Sequence, residues 1–194
     1  MSDLAIQARD LSRVFGTFTA VDHITFDVHA GEVFGFLGAN GAGKTTAIRM
    51  LTGLLAPSGG QATVAGFDVL RHPDEVRRRI GYMSQRFSLY DDLTVGENVT
   101  LFGGIYGLTD AEIRDRGHSM LSELALERAR DQRVAALPVG WKQKLAFAVA
   151  LLHRPALIFL DEPTSGVDPI TRRQFWEMIY ATAAAGTTVF VTTH

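Results

Sequence analysis

Residues 38–45, Gly-Ala-Asn-Gly-Ala-Gly-Lys-Thr, constrain this chain more than any other segment, because they fit G-x-x-x-x-G-K-[ST] without a mismatch. Their setting gives the pattern meaning: they follow the apolar run Val33–Leu37 and precede apolar residues at helical spacing. A strand, a glycine-rich turn and a helix in that order make a cradle for phosphate. Gly38, Gly41 and Gly43 let backbone N–H groups converge on an anion. The helix that follows turns the positive end of its dipole to the same point. Asn40, Ala42 and Thr46 complete the nucleotide-contacting segment. Lys44 can reach the β- and γ-phosphates, and the Thr45 hydroxyl can ligand Mg²⁺. The loop alone implies a nucleotide carrying β- and γ-phosphates, with Mg²⁺.

The rest of the chain supplies a fold to carry this loop. Ile24, Phe26 and Val28 alternate with polar residues, which predicts a half-buried strand, and Val33–Leu37 reads as a buried one. Ala47, Ile48, Leu51, Leu54 and Leu55 predict a helix that Pro57–Gly60 ends, with short strands near 62–64 and 81–83. Thr94-Val-Gly-Glu97 and Thr109-Asp-Ala-Glu112 are capping boxes, so two helices start there. A third helix is predicted from Val139 to about His153, stopped by Pro155. Leu157–Leu160 reads as a fully buried strand. Asp168-Pro169 opens another helix, and Thr187–Thr193 is a last β-branched strand. Strands alternating with helices imply a parallel sheet, interrupted by a helical insertion.

A second phosphate-site element follows from Leu157-Ile-Phe-Leu-Asp-Glu162. A buried strand ending in a carboxylate can place Asp161 beside the Mg²⁺ that Thr45 serves. Glu162, one residue on, can orient and deprotonate a water. Composition narrows the partners. A net charge of -2 argues against a nucleic-acid binder driven by bulk charge. With no cysteine there is no disulfide, thiolate metal site or cysteine nucleophile. The longest apolar stretch, Leu145–Leu152, is far short of a membrane span, so a soluble chain is expected.

Asp161-Glu-Pro-Thr-Ser-Gly-Val-Asp168, followed after a β-branched strand by His194, resembles the ATPase subunit of ABC transporters, and the resemblance covers essentially the whole chain. It implies an α/β, P-loop NTPase (RecA-like) parallel-sheet core with an N-terminal antiparallel β part and an inserted helical subdomain. Residues 1–86 and 155–194 would form the core, and about 87–154 the helical part. By the same resemblance Phe15 stacks on adenine, and Gln85 bridges the γ-phosphate and Mg²⁺ to the helical subdomain. Asp168 crosses to a partner subunit and His194 contacts the γ-phosphate, so that Glu162, Gln85 and His194 are the catalytic set.

One motif departs from that pattern. Where the family has Leu-Ser-Gly-Gly-Gln, this chain has Leu137-Pro-Val-Gly-Trp141. The family's serine and adjacent N–H groups meet a γ-phosphate bound by the other subunit. Pro138 has neither hydroxyl nor N–H, and Val139 is expected to be barred from conformations open to glycine; Gly140 survives. The trans contact should be weakened. Tyr82–Asn98 resembles the ABC-2 drug- and multidrug-export branch. The partners implied are transmembrane permease subunits and a second ABC ATPase domain in an asymmetric head-to-tail dimer, with no nucleic acid. The place implied is the cytoplasmic face of the cell membrane, reached through the permease. The competing readings are a soluble ABC protein working on DNA or the ribosome, and an ATP sensor with weak turnover. Family members continue beyond the point matching His194, so a fragment or excised domain, with one sheet edge open, is expected.

Overall fold

The computed structural model of the chain describes residues 3–85 and 89–193. The first two strands, β1 (Leu4–Phe15) and β2 (Phe18–His29), form a long antiparallel hairpin, and β3 (Val33–Leu37) runs into the glycine-rich loop. Helix α1 (Lys44–Leu51) follows, then β4 (Gly59–Val64), β5 (Phe67–Asp68), α2 (Pro73–Arg79) and β6 (Ile80–Met83). Three helices come next, α3 (Val95–Ile105), α4 (Asp110–Glu123) and α5 (Val139–Leu151), with two short 3₁₀ turns between the last two. The chain returns through β7 (Leu157–Asp161), α6 (Pro169–Ala184) and β8 (Thr188–Thr193).

The strands form two sheets. One is antiparallel, in the order β2-β1-β4-β5; the other has the order β3-β8-β7-β6, with β3, β8 and β7 parallel. Register decides where chemistry can happen. Leu37 pairs with Thr193, and Asp161 with Thr192, so β3, β8 and β7 end together. In an open α/β sheet the crevice beyond those carboxyl ends is where ligands bind. Ile48, Met50 and Leu51 of α1 are completely buried in a core with Ile6, Leu11, Val64, Leu157 and Phe159. Phe26, Phe34, Phe36 and Phe159 surround Phe190, with ring centroids 5.2–6.0 Å from it. Aromatic contacts of this kind contribute beyond their buried area.

Residues group into two compact units. The first holds both sheets, α1 and α2, and comprises residues 1–82, 155–163 and 176–194; the second comprises 83–154 and 164–175. Within the second, both capping boxes are complete: the Thr94 and Thr109 hydroxyls accept from the N–H groups of Glu97 and Glu112, whose carboxylates accept in return. The pair α3/α4 meets through small residues, since a Cβ at Gly117 would lie 2.8 Å from Val99. Leu145–Ala150 of α5 is buried on every side, so this helix shows no amphipathic stripe.

Three local expectations are corrected. Strand β3 lies at the sheet edge and is only half-buried, with Leu37 72% exposed. An apolar run reports that a strand can be buried, and position in the sheet decides whether it is. Helix α1 stops at Leu51, where Gly53 at φ +69 turns the chain, rather than at Pro57–Gly60, and Leu54 is exposed. Val139 is the first residue of α5 and is not among the positive-φ residues, so its branched Cβ is not barred there.

Candidate active site

The loop before α1 has the shape a phosphate needs. Gly41 and Gly43 have φ of +81 and +84, the left-handed region that favours glycine. Gly43 is constrained twice, because a Cβ there would stand 2.1 Å from the Ala20 carbonyl oxygen of β2. It is also the N-cap of α1 and supplies no capping side chain, which leaves the first helix N–H groups for another acceptor. Asn40, Gly41 and Ala42 are exposed, while Gly38, Thr45 and Thr46 are partly buried.

Lys44 is only 5% exposed. Its ammonium donates to the carbonyls of Gly38 (2.6 Å) and Ala39 (3.1 Å) and lies 3.4 Å from the Glu162 carboxylate. The Thr45 hydroxyl donates to Asp161 Oδ2 at 2.8 Å. Two segments 116 residues apart thus share one small volume, and the structure brings Lys44, Thr45, Asp161 and Glu162 together.

Sequence reasoning missed Thr192. Its fully buried hydroxyl donates to Asp161 Oδ1 at 2.8 Å and accepts from the Glu162 N–H at 2.9 Å. It therefore fixes the second oxygen of Asp161 and the backbone of Glu162 together. Glu162 needs such a hold: its φ is +50, a region that costs a non-glycine residue about 1–2 kcal/mol. The β-branched run around Thr192 was legible, but the partner it faces is set by cross-strand register. The negative charge on Asp161 is felt at Tyr82. Burial first, and then Asp161, push that phenol up to about 12, against the opposing charge of Arg49.

The oxygens of Thr45 and Asp161 suit a small hard cation, which keeps waters and phosphate oxygens as its other ligands. Among the described residues no three His, Cys, Asp or Glu side chains gather into an all-protein cage. Phe15 lies at the tip of the β1/β2 hairpin, opposite Phe18, and is 46% exposed.

The remaining candidates fall in the second unit or beyond the description. Gln85 is exposed, two residues past β6, and belongs to the second unit. His194 lies outside the described residues. Pro138 is the N-cap of α5 and makes no side-chain cap, with Val139 and Gly140 as the first helical residues. A Cβ at Gly140 would meet Thr171 Cγ2 at 2.9 Å, so α5 and the start of α6 touch there. Asp168 caps α6, its Oδ1 accepting from the N–H groups of Ile170 and Thr171 at 3.0 Å each. Bonding with the Thr171 side chain, then with its N–H, holds the Asp168 carboxyl below its usual range.

A strand-loop-helix cradle, a buried lysine, and a Thr–Asp pair at the carboxyl end of a parallel sheet define a P-loop nucleotide-binding domain. The chain belongs to the ABC transporter family, whose family model matches residues 21–165. It is 46% identical over 192 residues to the probable multidrug ABC transporter ATP-binding protein YbhF of Escherichia coli, covering 99% of this chain and 33% of that protein. It is 43% identical over 189 residues to the daunorubicin/doxorubicin resistance ATP-binding protein DrrA of Streptomyces peucetius, covering 97% of this chain and 57% of the relative. The chain thus spans about a third to three-fifths of these relatives. A solved ATP-binding subunit of an ABC transporter superposes with a TM-score of 0.86 at 33% identity, over 98% of this chain and 79% of that one.

Proposed function

We propose that this chain binds and hydrolyses Mg·ATP and that the protein containing it uses the energy to drive export through a transmembrane permease. The observation that carries the reading is the meeting of Lys44, Thr45, Asp161 and Glu162 at the ends of β3 and β7. Incoming phosphate oxygens replace the Gly38 and Ala39 carbonyls on Lys44, and the N–H groups of the loop and of α1 hold the β-phosphate. Thr45 and Asp161 would hold Mg²⁺, which when bound would neutralise phosphate charge. Release of Lys44 to the phosphate frees Glu162 to orient and deprotonate the attacking water, with Gln85 and His194 as further γ-phosphate contacts. Phe15 stacks on the base. The names of the relatives, a probable multidrug ABC transporter ATP-binding protein and a daunorubicin/doxorubicin resistance ATP-binding protein, support export as the work performed. No helix among the described residues is long and apolar enough to cross a membrane, so a separate permease segment or subunit would provide the path. The working place is the cytoplasmic membrane face.

Pro138 withholds a hydroxyl and an N–H from the α5 terminus. That supports pairing with a second ABC domain whose own signature is intact, giving one strong and one weak composite site, with Asp168 also facing the partner. The test of the main reading is a pair of variants in the full chain. Lys44→Ala should abolish calorimetric Mg·ATP binding while leaving the circular dichroism spectrum unchanged. Glu162→Gln should keep binding and lower hydrolysis about 10²–10⁴-fold, the usual worth of a general base. Equal affinity of Lys44→Ala and the parent chain, or undiminished turnover in Glu162→Gln, would remove the assignment.

A further inference from the structure

Strand β1 reaches its hairpin with Arg13, Val14 and Phe15, and its pairing with β2 shifts register between Arg13 and Val14. The Arg13 guanidinium carbon lies 4.5 Å from the centroid of the Phe15 ring and covers one of its faces. That guanidinium is not free to wander. Its Nη1 donates to the carbonyl of Ala56, in the turn after α1, at 2.7 Å. Its Nε is buried and makes no hydrogen bond among the described residues. Backbone anchoring at one end and a ring at the other give this arginine a stacking task, for which a planar guanidinium is suited and an ammonium much less so. Phe15 itself keeps 46% of its surface accessible.

We propose that Arg13 is a positioning residue for the nucleotide base, acting through Phe15; this rests on the reading of Phe15 as the base-stacking residue. Arg13 pins the ring in one rotamer at the hairpin tip and presents its open face to an aromatic heterocycle. A base seated there completes a guanidinium–phenyl–base stack. The ligand class is an aromatic nucleobase carried on a polyphosphate, and the triphosphate end is not involved.

The experiment compares calorimetric affinity for Mg·ATP and for Mg·tripolyphosphate, which has no base, in the full chain and its variants. Arg13→Gln should weaken ATP about two- to fivefold, the worth of an exposed cation–π contact, and leave tripolyphosphate unchanged. Arg13→Lys should recover only part of that loss. Phe15→Ala should weaken ATP about five- to hundredfold, and adding Arg13→Gln to Phe15→Ala should cost nothing more. An equal loss for tripolyphosphate, or a full Arg13→Gln loss persisting without Phe15, would mean that Arg13 merely supports the fold and would overturn the proposal. If Phe15→Ala weakens ATP and Arg13→Gln does not, Arg13 loses its role and Phe15 keeps its own. If Phe15→Ala leaves ATP affinity unchanged, both fall.

Discussion

Single residues in this site do several things at once, and Thr192 shows it best. One buried hydroxyl serves Asp161 as donor and the Glu162 N–H as acceptor. Thr192→Val keeps the shape and removes both bonds, leaving a part-buried N–H and a buried carboxylate oxygen each with one partner fewer. The expected loss is about 1–3 kcal/mol of stability, read from denaturant unfolding. A weaker response of ATPase activity to added Mg²⁺ should accompany it, because the Asp161 carboxylate is no longer fixed. Wild-type stability and Mg²⁺ response would mean that register alone positions Asp161. Gly43 sits at the other extreme, since its φ of +84 and its approach to Ala20 leave no room for any side chain.

Helix starts were the most legible elements, because their signals are local. Thr94/Glu97 and Thr109/Glu112 were readable as capping boxes and form as such, and Asp168-Pro169 opens α6. What stayed illegible depends on distant partners: the edge position of β3, the early end of α1 and the Thr192 bridge all follow from how remote segments meet. The phosphate loop could be read because the left-handed backbone at Gly41 and Gly43 favours glycine, and the Asp161–Glu162 pair because two carboxylates closing an apolar strand are a local pattern. The boxes carry a pH prediction. Bonds from the Thr94 and Thr109 N–H groups, then from their side chains, hold the Glu97 and Glu112 carboxyls below their usual range. A carboxyl whose folded pKa is depressed adds stability above its unfolded pKa and loses it as pH falls through the folded value. Glutamine can occupy the same cap without titrating. Glu97→Gln with Glu112→Gln should therefore shrink the drop in thermal midpoint between pH 7 and pH 3, and an unchanged drop would locate the acid sensitivity elsewhere. The α5 terminus carries another. Pro138→Ser restores a capping hydroxyl and an N–H, and with Val139→Gly it should raise turnover at a partner's site about ten- to hundredfold, the worth of a charge-assisted donor or two. Because Val139 already sits at the helix start without positive φ, Pro138→Ser alone should give most of the gain. No change in turnover or ATP-driven dimerisation would end the asymmetric scheme.

At the scale of the whole molecule the chain passes between its two units four times, at 82/83, 154/155, 163/164 and 175/176. Glu162 and Pro163 close one first-unit segment, and residues 164–175, with Asp168, belong to the second. Helix α6 is accordingly divided, its first seven residues grouped with α5 and the rest with the sheets. The units therefore cannot be expressed separately by cutting the chain once. The caging of Lys44 has a molecule-wide consequence of another kind. The sequence contains only three lysines, Lys44, Lys142 and Lys144, against sixteen arginines. Lys142 is tied to Asp91, and Lys144 donates to Gln174 beside the Trp141 ring. Within these 194 residues an amine-acylating reagent thus meets very few side-chain targets, and of the three the loop lysine, held by two carbonyls and a carboxylate, should acylate slowest by mass spectrometry. Faster labelling of Lys44 than of Lys144 would show that its cage opens freely in solution; slow labelling would make this chain its own reporter, with one mass increment registering each event that unlocks the phosphate loop.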